Sequence, residues 1–187
     1  MAITRLGGAN AITGTIPQGN IANASLGAVT ALPGAIATGK VLQVVETRLT
    51  TVLSTTSTSW VATTGLNASI TPSSTSNKVL ILLNATLNSG NHGHMRLSKD
   101  GGSNFIGGGV SSGSRSGVIF YANEDGNSAR PQSCAILDSP SSTSALTYQA
   151  YWRVNSATTY LNRTGNDTDA AYGSRGVSSI TLLEVAG

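Results

Sequence analysis

Along residues 146–154 apolar and polar positions alternate one by one, with Leu146, Tyr148, Ala150 and Trp152 on one side and Thr147, Gln149, Tyr151 and Arg153 on the other. Successive side chains of a strand point to opposite faces, so this pattern predicts a strand covered on one face. The same period of two governs the chain from Lys40 onward. It predicts strands over 41–48, 50–55, 58–63, 67–71, 78–84, 92–98, 117–122, 133–138, 146–154, 158–162 and 178–185, rich in Val, Ile, Thr and Tyr. Turn clusters separate them, among them Pro72-Ser73-Ser74-Thr75-Ser76-Asn77, Lys99-Asp100-Gly101-Gly102 and Asp138-Ser139-Pro140-Ser141-Ser142. The unbroken run Val79-Leu80-Ile81-Leu82-Leu83 is what a central strand writes. Many short strands with frequent turns and no convincing amphipathic helix predict an all-β fold. Residues 40–187 are therefore expected to form an antiparallel, jelly-roll-like β-sandwich.

Residues 1–39 follow a different rule. They hold a single charge, Arg5, and no aromatic residue. Ala9-Asn10-Ala11, Ala22-Asn23-Ala24 and Ala35-Ile36-Ala37 recur at a spacing of thirteen, and the first two copies run on to Gly14 and Gly27. Ile12, Ile16, Ile21, Leu26, Val29 and Leu32 stand singly between them, and Pro17 and Pro33 interrupt any continuous helix. So few and so spaced, these side chains cannot form a core by themselves. An extended, largely irregular N-terminal arm is expected, burying them against other copies or a partner. Fully extended it reaches at most about 130 Å. A flexible linker is the plainer reading of the same segment.

Composition narrows the function. In 187 residues, charged side chains make up 10% and the net charge is +3. The basic residues are scattered singly, without the run of cations and interleaved aromatics that tracks a phosphate backbone, so no nucleic-acid partner is expected. Cys134 is the only cysteine, which excludes an intrachain disulfide. The start Met1-Ala2-Ile3-Thr4-Arg5 lacks the apolar block of a signal peptide, and no apolar run is long enough to insert in a membrane. Synthesis and folding in a cytoplasm are expected.

Few constellations carry chemistry. Asn91-His92-Gly93-His94 puts two imidazoles on one face of a strand, a weak metal candidate that a three-fold assembly would complete; two exposed or hydrogen-bonded histidines are the plainer reading. The acids Glu124, Asp125, Asp167 and Asp169 sit in turns, where carboxylates cap backbone N–H groups. Asn166-Asp167-Thr168-Asp169 lacks the glycine and closing glutamate of a calcium loop. No nucleophile elbow is present, and no cofactor or catalytic activity is expected. The long polar loops 99–117, 122–131 and 163–176 suit a binding surface. Tyr121, Tyr160 and Tyr172, with Arg130, are the candidates for contact with a host-surface glycan.

Ala11-Ile12-Thr13-Gly14-Thr15-Ile16-Pro17 followed by Asn20-Ile21-Ala22-Asn23-Ala24-Ser25-Leu26 resembles the N-terminal segments of tail-fibre and head-fibre proteins of marine bacteriophages, those of cyanobacteria included. Pieces of the body resemble domains of phage structural proteins: Ile70-Thr71-Pro72-Ser73-Ser74-Thr75-Ser76-Asn77-Lys78-Val79-Leu80, Leu97-Ser98-Lys99-Asp100-Gly101, Leu137-Asp138-Ser139-Pro140 and Ser178-Ser179-Ile180-Thr181-Leu182-Leu183-Glu184-Val185. The resemblance implies a virion appendage or decoration, homotrimeric and displayed on the virion surface after assembly in the bacterial cytoplasm. The arm would anchor it to capsid or tail proteins, and the sandwich would face the host. A carbohydrate-binding module without catalytic activity is the alternative.

Overall fold

The structure is a computed structural model that describes residues 40–171 and 173–187. Eleven strands follow one another: β1 (Val41–Leu49), β2 (Leu53–Thr55), β3 (Val61–Ile70), β4 (Lys78–Ser89), β5 (Gly93–Ser98), β6 (Phe105–Ile106), β7 (Phe120–Ala122), β8 (Arg130–Asp138), β9 (Leu146–Val154), β10 (Thr159–Leu161) and β11 (Ser178–Val185). Among the described residues there is no helix, and every strand pairing is antiparallel.

With the short β2, β6 and β10 set aside, the pairings are nested: β1 with β11, β3 with β9, β4 with β8, β5 with β7. A long antiparallel ribbon folded on its own middle has this order. Rolling the ribbon adds the contacts β4–β11 and β5–β9 and yields two sheets. The first carries β8, β4, β11 and β1 side by side, with β10 and β2 continuing the places of β11 and β1 beside the end of β4. The second carries β3, β9 and β5, with β6 and β7 on β5. This is the jelly-roll-like sandwich expected from the sequence.

The core lies between the sheets, where the inward positions meet: Ile81, Leu83 and Leu87 of β4 and Ile180 and Leu182 of β11 against Met95 and Leu97 of β5 and Tyr148, Ala150 and Trp152 of β9. The inward set on β9 is the set its alternation predicts, with Val154 added. The Tyr148 hydroxyl leaves the core at one point only, donating to Asp138 Oδ2 at 2.7 Å, and Asp138 in turn holds Lys99 Nζ at 2.7 Å.

Three expectations are corrected. The strands predicted over 58–63 and 67–71 are one strand, β3, whose register against β9 slips between Ala62 and Asn67. Gly65 takes φ +77° there, and the bulge it forms hides the continuity from a period-of-two reading. β6, opposite Leu97 and Ser98, is too short to leave a pattern. His92 lies in the turn before β5, with φ 52°, and not on the strand.

β4 is central, as the unbroken apolar run implies, since β8 lines one edge and β11 and β10 the other. Yet only Val79, Ile81 and Leu83 of that run face the core; Leu82 is exposed and Leu80 half-buried on the outer face. The cross-strand partners continue this outward apolar row. Leu137 stands opposite Leu80, Leu80 opposite Leu183, and Leu183 opposite Val44. Leu137 is 55% and Val44 59% exposed.

Candidate binding site on the outer face of the second sheet

The outer face of the second sheet differs in kind. β5 sits between β7 and β9, and its register places Tyr121, His94 and Arg153 in one cross-strand row, with Arg96 opposite Tyr151 in the next. Trp60, just ahead of β3, lies across both rows: the Arg96 guanidinium is 4.4 Å and that of Arg153 5.1 Å from its ring centre. Phe105 closes the far side, 5.5 Å from Trp60 and edge-on to Tyr151 at 5.6 Å. A planar guanidinium stacks on an aromatic face at little entropic cost, so Trp60 holds both arginines in place.

The connection from β6 to β7 then folds back over this face. Arg96 Nε donates to Gly117 O at 2.6 Å, and Arg153 Nη2 donates to Ser116 Oγ at 2.8 Å. Ile119 N donates to Met95 O at 2.9 Å, tying the connection to β5. Between it and the sheet opens a recess of about 440 Å³, lined by His92, His94, Tyr121, Arg115, Arg153 and Asn155, with Ser114, Ser116 and Val118 on the side of the connection. Tyr121 stands between the two imidazoles, with ring centres 5.8 Å from His92 and 5.7 Å from His94. Its hydroxyl is 2.6 Å from His92 Nδ1.

Gly93 makes this arrangement possible. It begins β5 facing inward, and a Cβ there would stand 2.6 Å from Thr159 Oγ1 and 2.8 Å from Ser89 Cβ. Only glycine lets β5 start this close to the ends of β4 and β10. Gly93→Ala is expected to cost about 1–3 kcal/mol through overpacking, read as a lower urea midpoint with an unchanged slope.

The recess is electropositive and carries no acid. The ion pairs among the described residues are elsewhere: Lys99–Asp138, Arg130–Glu124, Arg163–Asp167 and Arg175–Asp167. Burial, and then the charges of Arg153, His92 and Arg96, hold His94 below the ordinary imidazole range. Burial and then Arg153 lower Arg96 as well. His94 Nδ1 and Arg153 Nε are buried without a hydrogen-bond partner.

Of the residues singled out in the sequence, Tyr121, His92 and His94 meet here. Arg130 does not; its Nε donates to Glu124 Oε2 at 2.8 Å. Tyr160 lies under the Arg163 guanidinium, 3.9 Å from its ring centre, and lines a separate recess with Asn88 and Asn166. Tyr172 and the arm residues Ile12, Ile16, Ile21, Leu26, Val29 and Leu32 lie outside the described residues. As a metal pair His92 and His94 gain no third ligand from this chain: no group of three His, Cys, Asp or Glu is close enough among the described residues. Asp167 is engaged by both Arg163 and Arg175. The exposed carboxyl of Asp100 is held at about 2, first by the Asn104 N–H and then by the Ser98 and Asn104 side chains, which makes it a turn residue.

Trp60, Arg96, Arg115 and Arg153 were not singled out by sequence reasoning. The β9 alternation does place Arg153 and Tyr151 outward with no acid beside them, and that was the available signal. No protein-family model matches this chain, and no curated protein matches it.

Proposed function

We propose that this chain is a structural, non-catalytic appendage or decoration protein of a bacteriophage particle, a short fibre, spike or head fibre. In this reading it is a homotrimer, anchored to capsid or tail through residues 1–39, and its sandwich faces the host for adhesion. The observation that carries the reading is the outward apolar row Leu137–Leu80–Leu183–Val44, on a strand whose sequence is that of one covered on both faces. A further copy of the chain is the occupant its rim favours. Glu46 and Arg48 project beside the row from β1, are both exposed, and take part in none of the ion pairs among the described residues. Around a closed ring, Glu46 of one copy would meet Arg48 of the next.

The layout of the sandwich suits adhesion. Lys40 O accepts from Ala186 N and Asn77 Oδ1 from Gly187 N, so the chain enters β1 at the end that holds the 71–77 turn. The recess lies toward the opposite end of the sandwich, where β4 ends and β5 begins.

Light scattering of the full chain is expected to give three times 18.9 kDa, and antibody–gold raised against residues 40–187 is expected to label intact virions. A monomer at micromolar concentration or unlabelled virions would overturn the reading. The second reading, a carbohydrate-binding module, is favoured by the aromatic and cationic outer face of the second sheet. It requires a monomer whose sugar affinity survives removal of residues 1–39.

A further inference from the structure

Arg115 and Arg153 line one recess with His92 and His94, Arg96 stacks on Trp60 behind it, and none of the three arginines takes part in an ion pair among the described residues. Like charges gathered in a partly buried place repel one another, and a ligand that supplies the counter-charge relieves that repulsion. The recess also offers a flat ring at its mouth, since Tyr121 is 46% exposed and fixed between two imidazoles. Ser114, Ser116 and Asn155 add neutral hydrogen-bonding groups of the kind that read sugar hydroxyls. A volume of about 440 Å³ is in the range of small-ligand sites and takes one or two pyranose rings.

We propose that this recess binds an acidic sugar residue, a pyranose carrying a carboxylate or a sulfate. Arg153 faces the anionic group, Tyr121 packs on the ring, and Trp60 and Ser116 hold Arg153 in place, while Arg115, whose Nε and Nη2 donate to Ser112, adds its charge from the lining. Arg96 stacks behind, with its Nε committed to Gly117 O, and sets the local field. This assignment deepens the adhesion reading and rests on it, by naming the glycan class that adhesion would use. Neutral sugars lack the charge that Arg153 and Arg115 call for. A bare anion lacks the ring that Tyr121 is placed to cover.

Protonation should couple to binding. The groups facing His94 are His92 from the turn, Arg96 of its own strand, Arg153 of β9 and Tyr121 of β7, and none is acidic. A bound anion offsets the burial and the cationic repulsion that together hold His94 below the ordinary imidazole range, so affinity is expected to rise as pH falls and His94 takes up a proton.

The test is calorimetric titration of the full chain with trigalacturonate, a sulfated galactotriose, neutral galactotriose and inorganic sulfate. One of the two acidic sugars is expected to bind at least tenfold more tightly than both the neutral sugar and sulfate, and which one does so identifies the anionic group. Arg115→Ala, at an exposed position that leaves the fold intact, and Arg153→Gln are each expected to weaken that binding at least fivefold, and Tyr121→Ala to weaken it comparably. Equal affinity for neutral galactotriose, sulfate binding as tightly as the sulfated sugar, or affinity unchanged in Arg115→Ala and Arg153→Gln would overturn the assignment. A fluorescent full chain applied to host cells separates this from the adhesion reading. Adhesion that Arg115→Ala and Arg153→Gln leave intact, without acidic-sugar binding, overturns the recess and keeps adhesion. Acidic-sugar binding without adhesion upholds the recess and overturns the adhesion reading.

Discussion

Glu184→Ala is expected to cost the sandwich about 3 kcal/mol. Glu184 is 1% exposed and points inward near the end of β11. Its Oε1 accepts from Ser73 N at 2.6 Å, Ser73 Oγ at 2.8 Å and Asn77 Nδ2 at 2.5 Å, and its Oε2 accepts from Gln43 Nε2 at 2.5 Å. One carboxylate thus joins β1, the turn between β3 and β4, and β11 at the end where the chain enters the sandwich. Alanine would remove all four bonds at once and leave the buried Asn77 amide with Ser73 Oγ alone and Gln43 Nε2 with Thr71 O alone. Burial alone would push the carboxyl up, but Gln43, Asn77 and Ser73 together outweigh it and bring it from 4.5 to about 2. The depressed value belongs to the folded state, so the unfolded chain takes up the proton first on acidification. The stabilisation is therefore complete above about 4.5 and is lost as pH falls toward about 2. Urea unfolding across that window should show wild-type stability falling, while Glu184→Gln, already weaker at neutral pH, falls less. Parallel curves would mean that Glu184 is not the group that titrates.

This clasp shows where the sequence stopped being readable. Ser178–Val185 reads as a strand, and Ser73 and Asn77 read as turn residues, but nothing in either stretch announces that a glutamate among leucines faces the core. Its partners come from sequence positions more than a hundred residues away, brought in by the wrapping of the ribbon. The same limit applies to the recess. Alternation on β9 put Arg153 outward, and the strand expected over 92–98 brought His94 to β5. That Arg153 lies between Trp60 and His94 follows only from the registers of β9 with β3 and β5. The strands themselves were legible because each writes its own period of two. Gly65 broke that period and made one strand read as two. Arg130 and Tyr160 stand beside polar loops, a position that says nothing about their partners. Glu124 and Arg163 already engage them.

Placing aspartates at Leu80 and Leu183 is expected to turn the proposed trimer into folded single chains. Both positions lie at the middle of the outward row, opposite each other and flanked by Leu137 and Val44. Neither belongs to the core between the sheets, so the isolated sandwich loses little. In an assembly of copies each leucine would be worth about 1.5–3 kcal/mol of burial, and a buried unpaired carboxylate adds its desolvation cost. A loss of 4 kcal/mol or more, roughly a thousandfold in the association constant, follows from the pair. Light scattering should fall from the three-chain to the one-chain mass, while the far-ultraviolet spectrum of a β protein persists. Reversing the signs with Glu46→Arg and Arg48→Glu together should restore most of the association that either substitution alone removes, because a ring of identical copies keeps the pair complementary. An undiminished mass in Leu80→Asp/Leu183→Asp would place the contact between copies on another surface. The apolar run on β4 would then have to be explained by a partner of different sequence.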